Sequence, residues 1–261
     1  MDKAFLKGLK KFLDDKVVLF NNHSFISSDP IQIPKEYSKL QDIEITAFWT
    51  AILSWGNRTT IINKAHELFA FMDNAPHDFI LHHQEKDLIR LADFKHRTFQ
   101  SMDTLYFIHF LQHHYSHHSS LEDAFLCPGV KFESVKTSLD DFQSYFFSLD
   151  EAPHRTKKHI SAPANGSTCK RLNMFLRWMV RQDMNGVDFG LWHRIPQQAL
   201  MIPLDIHVER IARNLGILNR KQIDWMAVEE ITSILRKLDK SDPVKYDFAL
   251  FSMGVNSKKL P

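Results

Sequence analysis

The chain has 261 residues, 44% of them hydrophobic and 25% charged, with a formal net charge of +2. That length and balance support one large domain or two packed lobes and exclude long spans of disorder. The near-neutral total excludes attachment to a polyanion by bulk charge, so any affinity for nucleic acid has to come from local clusters.

At the start, Leu6, Leu9, Phe12 and Leu13 fall at helical spacing, while Asp14, Asp15 and Lys16 interrupt the apolar run. This predicts a docking helix rather than a signal peptide. Residues 21–34 read as a polar linker in which Pro30 and Pro34 stop helices. Between 43 and 54 the residues Ile45, Phe48, Trp49, Ile52 and Leu53 predict a buried helix that ends near Gly56. Asn57-Arg58-Thr59-Thr60 opens the next one, with Ile61, Ala65, Leu68, Phe69 and Met72 on one face.

Further helices are expected at about 101–118, 132–148, 168–182, 206–215, 224–238 and 243–253. Strand patterns are nearly absent, and 8 glycines against 21 phenylalanines suit close-packed helices. The fold class is all-α, divided into an N-terminal helix and linker (1–42), a helical lobe (43–150) and a second lobe (151–261). No apolar run reaches membrane-spanning length, and a soluble, cytoplasmic protein is expected. Two cysteines, Cys127 and Cys169, make neither a disulfide framework nor a zinc ribbon nor a four-cysteine cluster.

The chemistry concentrates between 152 and 216. Residues 152–182 hold no Asp or Glu but carry Arg155, Lys157, Lys158, Lys170, Arg171, Arg177 and Arg181. In the helix at 168–182, Leu172, Phe175, Leu176, Met179 and Val180 form a core stripe, with Lys170, Asn173, Arg177 and Arg181 on the other side. Asp205 directly precedes a second amphipathic helix, closed by Gly216. An Asp there serves as an N-cap; the same rigid, ionised carboxylate can also stabilise a cationic transition state. Lys170 reads first as a surface lysine; a nucleophilic amine there needs a lowered pKa, toward which adjacent Arg171 and partial burial would push.

Three stretches resemble the helix–hairpin–helix DNA glycosylase superfamily, which contains endonuclease III and the 8-oxoguanine glycosylases. Residues 48–54, with Asn57-Arg58-Thr59, are similar to its early buried helix and the following turn. Residues 166–173 (GSTCKRLN) resemble its hairpin and lysine-bearing helix, and residues 203–212 (PLDIHVERIA) its aspartate segment. More closely, the chain resembles a bacterial family within that superfamily, the domain of unknown function 2400. Trp55-Gly56-Asn57-Arg58, residues 170–181 (KRLNMFLRWMVR), Gly190-Leu191-Trp192 and Pro203-Leu204-Asp205 carry that likeness.

The resemblance implies a two-lobed helical bundle that flips a nucleotide out of double-stranded DNA carrying a damaged or abasic site. It implies Lys170 as the nucleophile and Asp205 as its acid partner, with strand cleavage through a Lys170 Schiff base as a further step. Gly166, Arg171, Lys157, Lys158, Arg177 and His207 are then expected on the nucleic-acid side. Asn57 and Arg58 serve there as an intercalating corner or as a solvated turn. No cofactor, metal or obligate protein partner is implied. The alternative is a non-catalytic nucleic-acid-binding protein that keeps the fold.

Two features depart from the superfamily pattern. The position of the hairpin's second glycine holds Thr168, and Lys170 and Asp205 lie 35 residues apart, with an extra segment at 181–202. That segment, which includes Asp188, Trp192, His193 and Arg194, forms either a pocket wall or a packed surface excursion. Among the 15 histidines, His113 and His117, like His114 and His118, share a helix face and suit either solvent or a metal ion.

Overall fold

A computed structural model describes residues 2–27, 29–126 and 131–256; Cys127 lies outside them. The helices in chain order are α1 (Lys3–Phe20), α2 (His23–Ile26), α3 (Leu40–Leu53), α4 (Arg58–Ala70), α5 (Pro76–His82) and α6 (Glu85–Leu88). They continue with α7 (Ser101–Tyr115), α8 (Val135–Phe146), α9 (Lys170–Val180), α10 (Ile206–Asn214), α11 (Trp225–Leu238) and α12 (Tyr246–Asn256). Short 3-10 turns join them, and no β-strand occurs among the described residues. The class is all-α, as expected.

Two compact units emerge. One joins residues 1–27 to residues 162–261; the other comprises residues 28–161. The segment read from sequence as 1–42 is therefore shared between them: α1 and α2 belong with the C-terminal unit and the proline turns with the other.

The unit of residues 28–161 is built around α3, which is buried from Ile43 to Leu53. A helix that is apolar all round has no solvent face and must sit in the centre of a core. Phe48 stacks on Phe107 (5.6 Å) and meets Phe142 edge-on (5.8 Å), while Phe107 and Phe110 both pack on Phe146 (4.8 and 4.4 Å). Fully buried rings of this size each contribute about 1.5–3 kcal/mol by leaving water. Glu44 is the one acid in this apolar wall. It accepts from Tyr115 Oη (2.9 Å) and the Leu121 backbone N–H (3.0 Å), so its burial leaves no charge unsolvated.

In the C-terminal unit, α12 packs against both α1 and α10. Helix ends here follow local chemistry. Gly216 takes φ +68°, and the N–H groups of Gly216 and Ile217 return to Arg213 and Ala212, closing α10 as its sequence predicts. Close approach of α10 and α12 rests on Gly254: a Cβ there would stand 2.7 Å from the His207 carbonyl oxygen. No described helix is long and apolar enough to cross a membrane.

Candidate functional site

Lys170 is the first residue of α9 and is half-buried. The residue before it, Cys169, caps the helix in the left-handed region (φ +48°, ψ +34°) and is buried. The turn thus has two left-handed positions, Gly166 (φ +73°) and Cys169, and Thr168 is not one of them. A residue with a Cβ pays roughly 1–2 kcal/mol for that conformation. Two N–H groups of this turn are taken up within the chain: Gly166 donates to the Pro163 carbonyl (2.8 Å) and Cys169 to Ser167 Oγ (3.1 Å).

Asp205 is the N-cap of α10. Its Oδ1 accepts from the N–H groups of His207 (2.8 Å) and Val208 (2.9 Å), which fixes the carboxylate at the positive end of the helix. His207 follows on the first turn, half-buried and edge-on to Phe251 (5.7 Å). Its Nδ1 is buried without a hydrogen-bond partner.

The polar face of α9 differs from the expectation. Asn173, Arg177 and Arg181 are 1%, 3% and 1% exposed, so this stripe descends from half-buried Lys170 into the interior. The reason is a set of acids supplied from elsewhere in the chain. Arg177 pairs with Asp188 (3.2 Å) and with Asp247 on the first turn of α12. Arg181 pairs with Asp183 (2.7 Å), Asp188 (2.9 Å) and Asp242 (2.9 Å). Both guanidinium groups also lie over the Phe248 ring, at 4.6 and 5.2 Å. Arg177 is therefore an interior ion-pair partner and not a phosphate contact.

Two cations against four carboxylates leave this cluster short of positive charge. Burial, only partly offset by Arg181, pushes the Asp242 carboxyl up. Burial also pushes Asp247 up, to about 6; Arg177 and Lys170 oppose the rise, and Asp205 and Asp188 add to it. Lys170 and Asp205, 35 residues apart in sequence, both act on the buried carboxyl of Asp247. The acid that joins them was not singled out from sequence, although a lone Asp in the apolar string of residues 246–251 (YDFALF) is a visible signal.

The remaining expected contacts divide. Arg171 is half-buried on α9, and desolvation lowers it to about 10, leaving it charged at neutral pH. Asn57, Arg58, Lys157 and Lys158 belong to the other unit. Asn57 is exposed and N-caps α4 by accepting from Thr60 N–H (3.2 Å). Arg58 lies 4.0 Å from Asp29. Lys157 and Lys158 are exposed on one 3-10 turn, whereas Arg155 beside them is tied to Gln100 (2.6 Å) and the Thr98 carbonyl (3.0 Å).

The extra segment packs back on α9 at Phe189, Leu191 and Trp192, while Met184, His193 and Arg194 stay exposed. Phe189 N–H donates to the Trp178 carbonyl (2.8 Å), Leu191 and Trp192 N–H groups to the Met179 carbonyl (2.7 and 2.9 Å), and buried Trp192 meets Phe175 at 5.2 Å. His114 is buried, with Nδ1 on Tyr145 Oη (3.2 Å) and Nε2 on the Ser120 carbonyl (2.9 Å), and desolvation lowers it to about 4. No group of three or more His, Cys, Asp or Glu side chains is arranged to hold a metal among the described residues.

A family model described as a protein of unknown function, DUF2400, matches residues 29–256, so the chain belongs to that family. No curated protein and no solved structure matches it.

Proposed function

We propose that this member of the DUF2400 family is a DNA glycosylase-like protein of the helix–hairpin–helix superfamily. It cleaves the N-glycosidic bond of a damaged base, with Lys170 as nucleophile and Asp205 as its acid partner. The observation that carries this reading is a half-buried amine at the first residue of α9 and a capping carboxylate at the start of α10 within one compact unit, both bearing on buried Asp247.

The two helix ends suit opposite tasks. A cation at the first residue of α9 faces the positive end of that helix, which favours loss of a proton. An anion at the cap of α10 is favoured by the same effect and held ready to take that proton. The neutral amine forms a bond to C1′ as the C1′–N bond breaks, its electron pair leaving on the base, which takes up a proton. Asp205 passes its first proton to the departing base, takes a second from the attached nitrogen and returns it to O4′ as the C1′–O4′ bond opens, leaving a protonated imine and a free 4′-hydroxyl, the species from which strand cleavage proceeds.

Borohydride trapping on duplex DNA with an abasic site or with oxidised or alkylated bases tests the reading. A covalent adduct is expected with the wild-type chain and not with Lys170→Met or Lys170→Gln, both folded. Salt-sensitive duplex binding without any adduct would favour the non-catalytic binding protein instead.

A further inference from the structure

We propose that Asp247 is a positioning residue for the Lys170–Asp205 pair: a second, interior acid, anchored by Arg177, that helps set the pH at which the Lys170 ammonium gives up its proton. This inference rests on the proposed role of Lys170 for its meaning in catalysis, but the electrostatic link it invokes is a property of the DNA-free protein.

The geometry begins with α9. Lys170, Asn173 and Arg177 follow one another at helical spacing along one face, the first half-buried and the other two sealed inside. Asn173 donates from Nδ2 to the Thr168 carbonyl (3.0 Å), tying this face to the turn before Lys170. Two turns below Lys170, Arg177 meets Asp247, which is 6% exposed and held on the first turn of α12. Helix α12 also packs on α10, whose cap is Asp205. Gly254 permits that packing, and Arg210 Nη2 donates to the Gly254 carbonyl, holding α10 on α12.

Asp247 is thus fastened on one side by the guanidinium two turns below Lys170, and it lies two turns before Gly254, where the Asp205 end of α10 meets α12. The charged groups bearing on it are Arg177 and Lys170 from α9, Asp188 from the segment behind α9, and Asp205. The other elements packed on α12 bring further titratable groups. Helix α10 carries His207 and Arg210; α1 carries Asp14, bonded to Tyr246; the turn before α12 carries Lys245, paired with Asp14 and Asp239.

A carboxylate deep in the protein acts on a nearby ammonium more strongly than a surface one, because less water screens it. Its negative charge favours the ammonium form of Lys170; its pairing with Arg177 limits that effect. Replacing it by Asn removes the negative charge and leaves the Arg177 cation, with Asp188 as partner. Both changes disfavour the Lys170 ammonium and lower its titration midpoint.

The test follows the Lys170 amine directly. Reductive ¹³C-methylation, with the Lys170 signal assigned by its absence in Lys170→Arg, allows NMR titration of wild-type, Asp247→Asn and Asp247→Glu proteins without DNA. The midpoint of the Lys170 signal is expected to fall by roughly half to one pH unit in Asp247→Asn, the effect of removing a partly screened charge about two helical turns away, and to return toward the wild-type value in Asp247→Glu. Coincident titrations for wild-type and Asp247→Asn, with both proteins folded, would overturn the inference.

Adduct trapping as a function of pH forms the second arm. The acid limb of the profile is expected to move in the same direction as the NMR midpoint. A purely structural role would instead lower the adduct yield equally at every pH and leave the NMR midpoint in place, which also overturns the inference. If the wild-type chain forms no adduct while the NMR midpoint shifts, the glycosylase reading fails and the Asp247 linkage stands.

Discussion

Gly254→Ala probes the contact that holds the cap of α10 against α12. A Cβ built at Gly254 falls 2.7 Å from the His207 Cβ, 2.7 Å from its carbonyl oxygen and 2.9 Å from its carbonyl carbon. Normal contact between such atoms begins near ~3.5 Å, so α10 has to retreat by roughly 0.8 Å. Two of the three atoms are backbone and cannot rotate away. Inserting a methyl group into a packed site of this kind costs about 1–3 kcal/mol. Alanine returns about 0.5–1 kcal/mol through its helix preference over glycine. The clash wins, with a net loss of about 1–2 kcal/mol. Urea denaturation of the two proteins, with the slopes compared to check two-state behaviour, measures it. Because His207 lies two residues after Asp205, the variant is also expected to form less trapped adduct. Stability within 0.5 kcal/mol of the wild type, or above it, would refute the close-packing argument.

Other consequences follow from the same cluster. Arg181→Met leaves Asp183, Asp188 and Asp242 without their shared cation and is expected to cost about 3–5 kcal/mol in a denaturant titration, the usual effect of stranding buried charge; a loss under 1 kcal/mol would show those acids to be hydrated. Asp247, raised to about 6 from 3.8, binds its proton more tightly folded than unfolded. Its contribution to stability is therefore full below about pH 4 and lost as pH rises through 6, a span on the order of 3 kcal/mol. Denaturation of wild-type and Asp247→Asn proteins at pH 4 and pH 7 should show the wild type losing stability relative to the variant at the higher pH; a constant difference would contradict the assignment. At Asp205, the Asn variant keeps a cap and should lose only adduct formation, whereas Ala should also lose about 1 kcal/mol of stability. Equal trapping by wild-type and Asn proteins would remove the carboxylate from the chemistry.

The local pattern made some of this architecture legible. The apolar string of α3, the cap at Asp205 and the left-handed stop at Gly216 each follow from a few neighbouring residues, and the structure places them where spacing predicts. The polar face of α9 departs from its sequence pattern for the opposite reason. Arg177 and Arg181 look like a solvent-facing basic stripe until Asp188, Asp242 and Asp247 arrive from segments up to 70 residues away. Pairing over such distances leaves no periodic signature. The same holds for the segment at 181–202, whose backbone bonds along α9 bury Val187, Asp188 and Trp192 while Met184, His193 and Arg194 stay exposed. The left-handed residue at Cys169 leaves no mark in the sequence either, since a residue with a Cβ seldom takes that conformation.

The central claim is that the Lys170 amine itself bonds the sugar, and its most direct measurement is peptide mapping of the reduced adduct. Wild-type protein trapped on abasic duplex should, after digestion of protein and DNA, carry the deoxyribose-derived mass on Lys170 alone. The same mass on Lys157, Lys158 or the N-terminal amine, with Lys170 unmodified, would contradict the account.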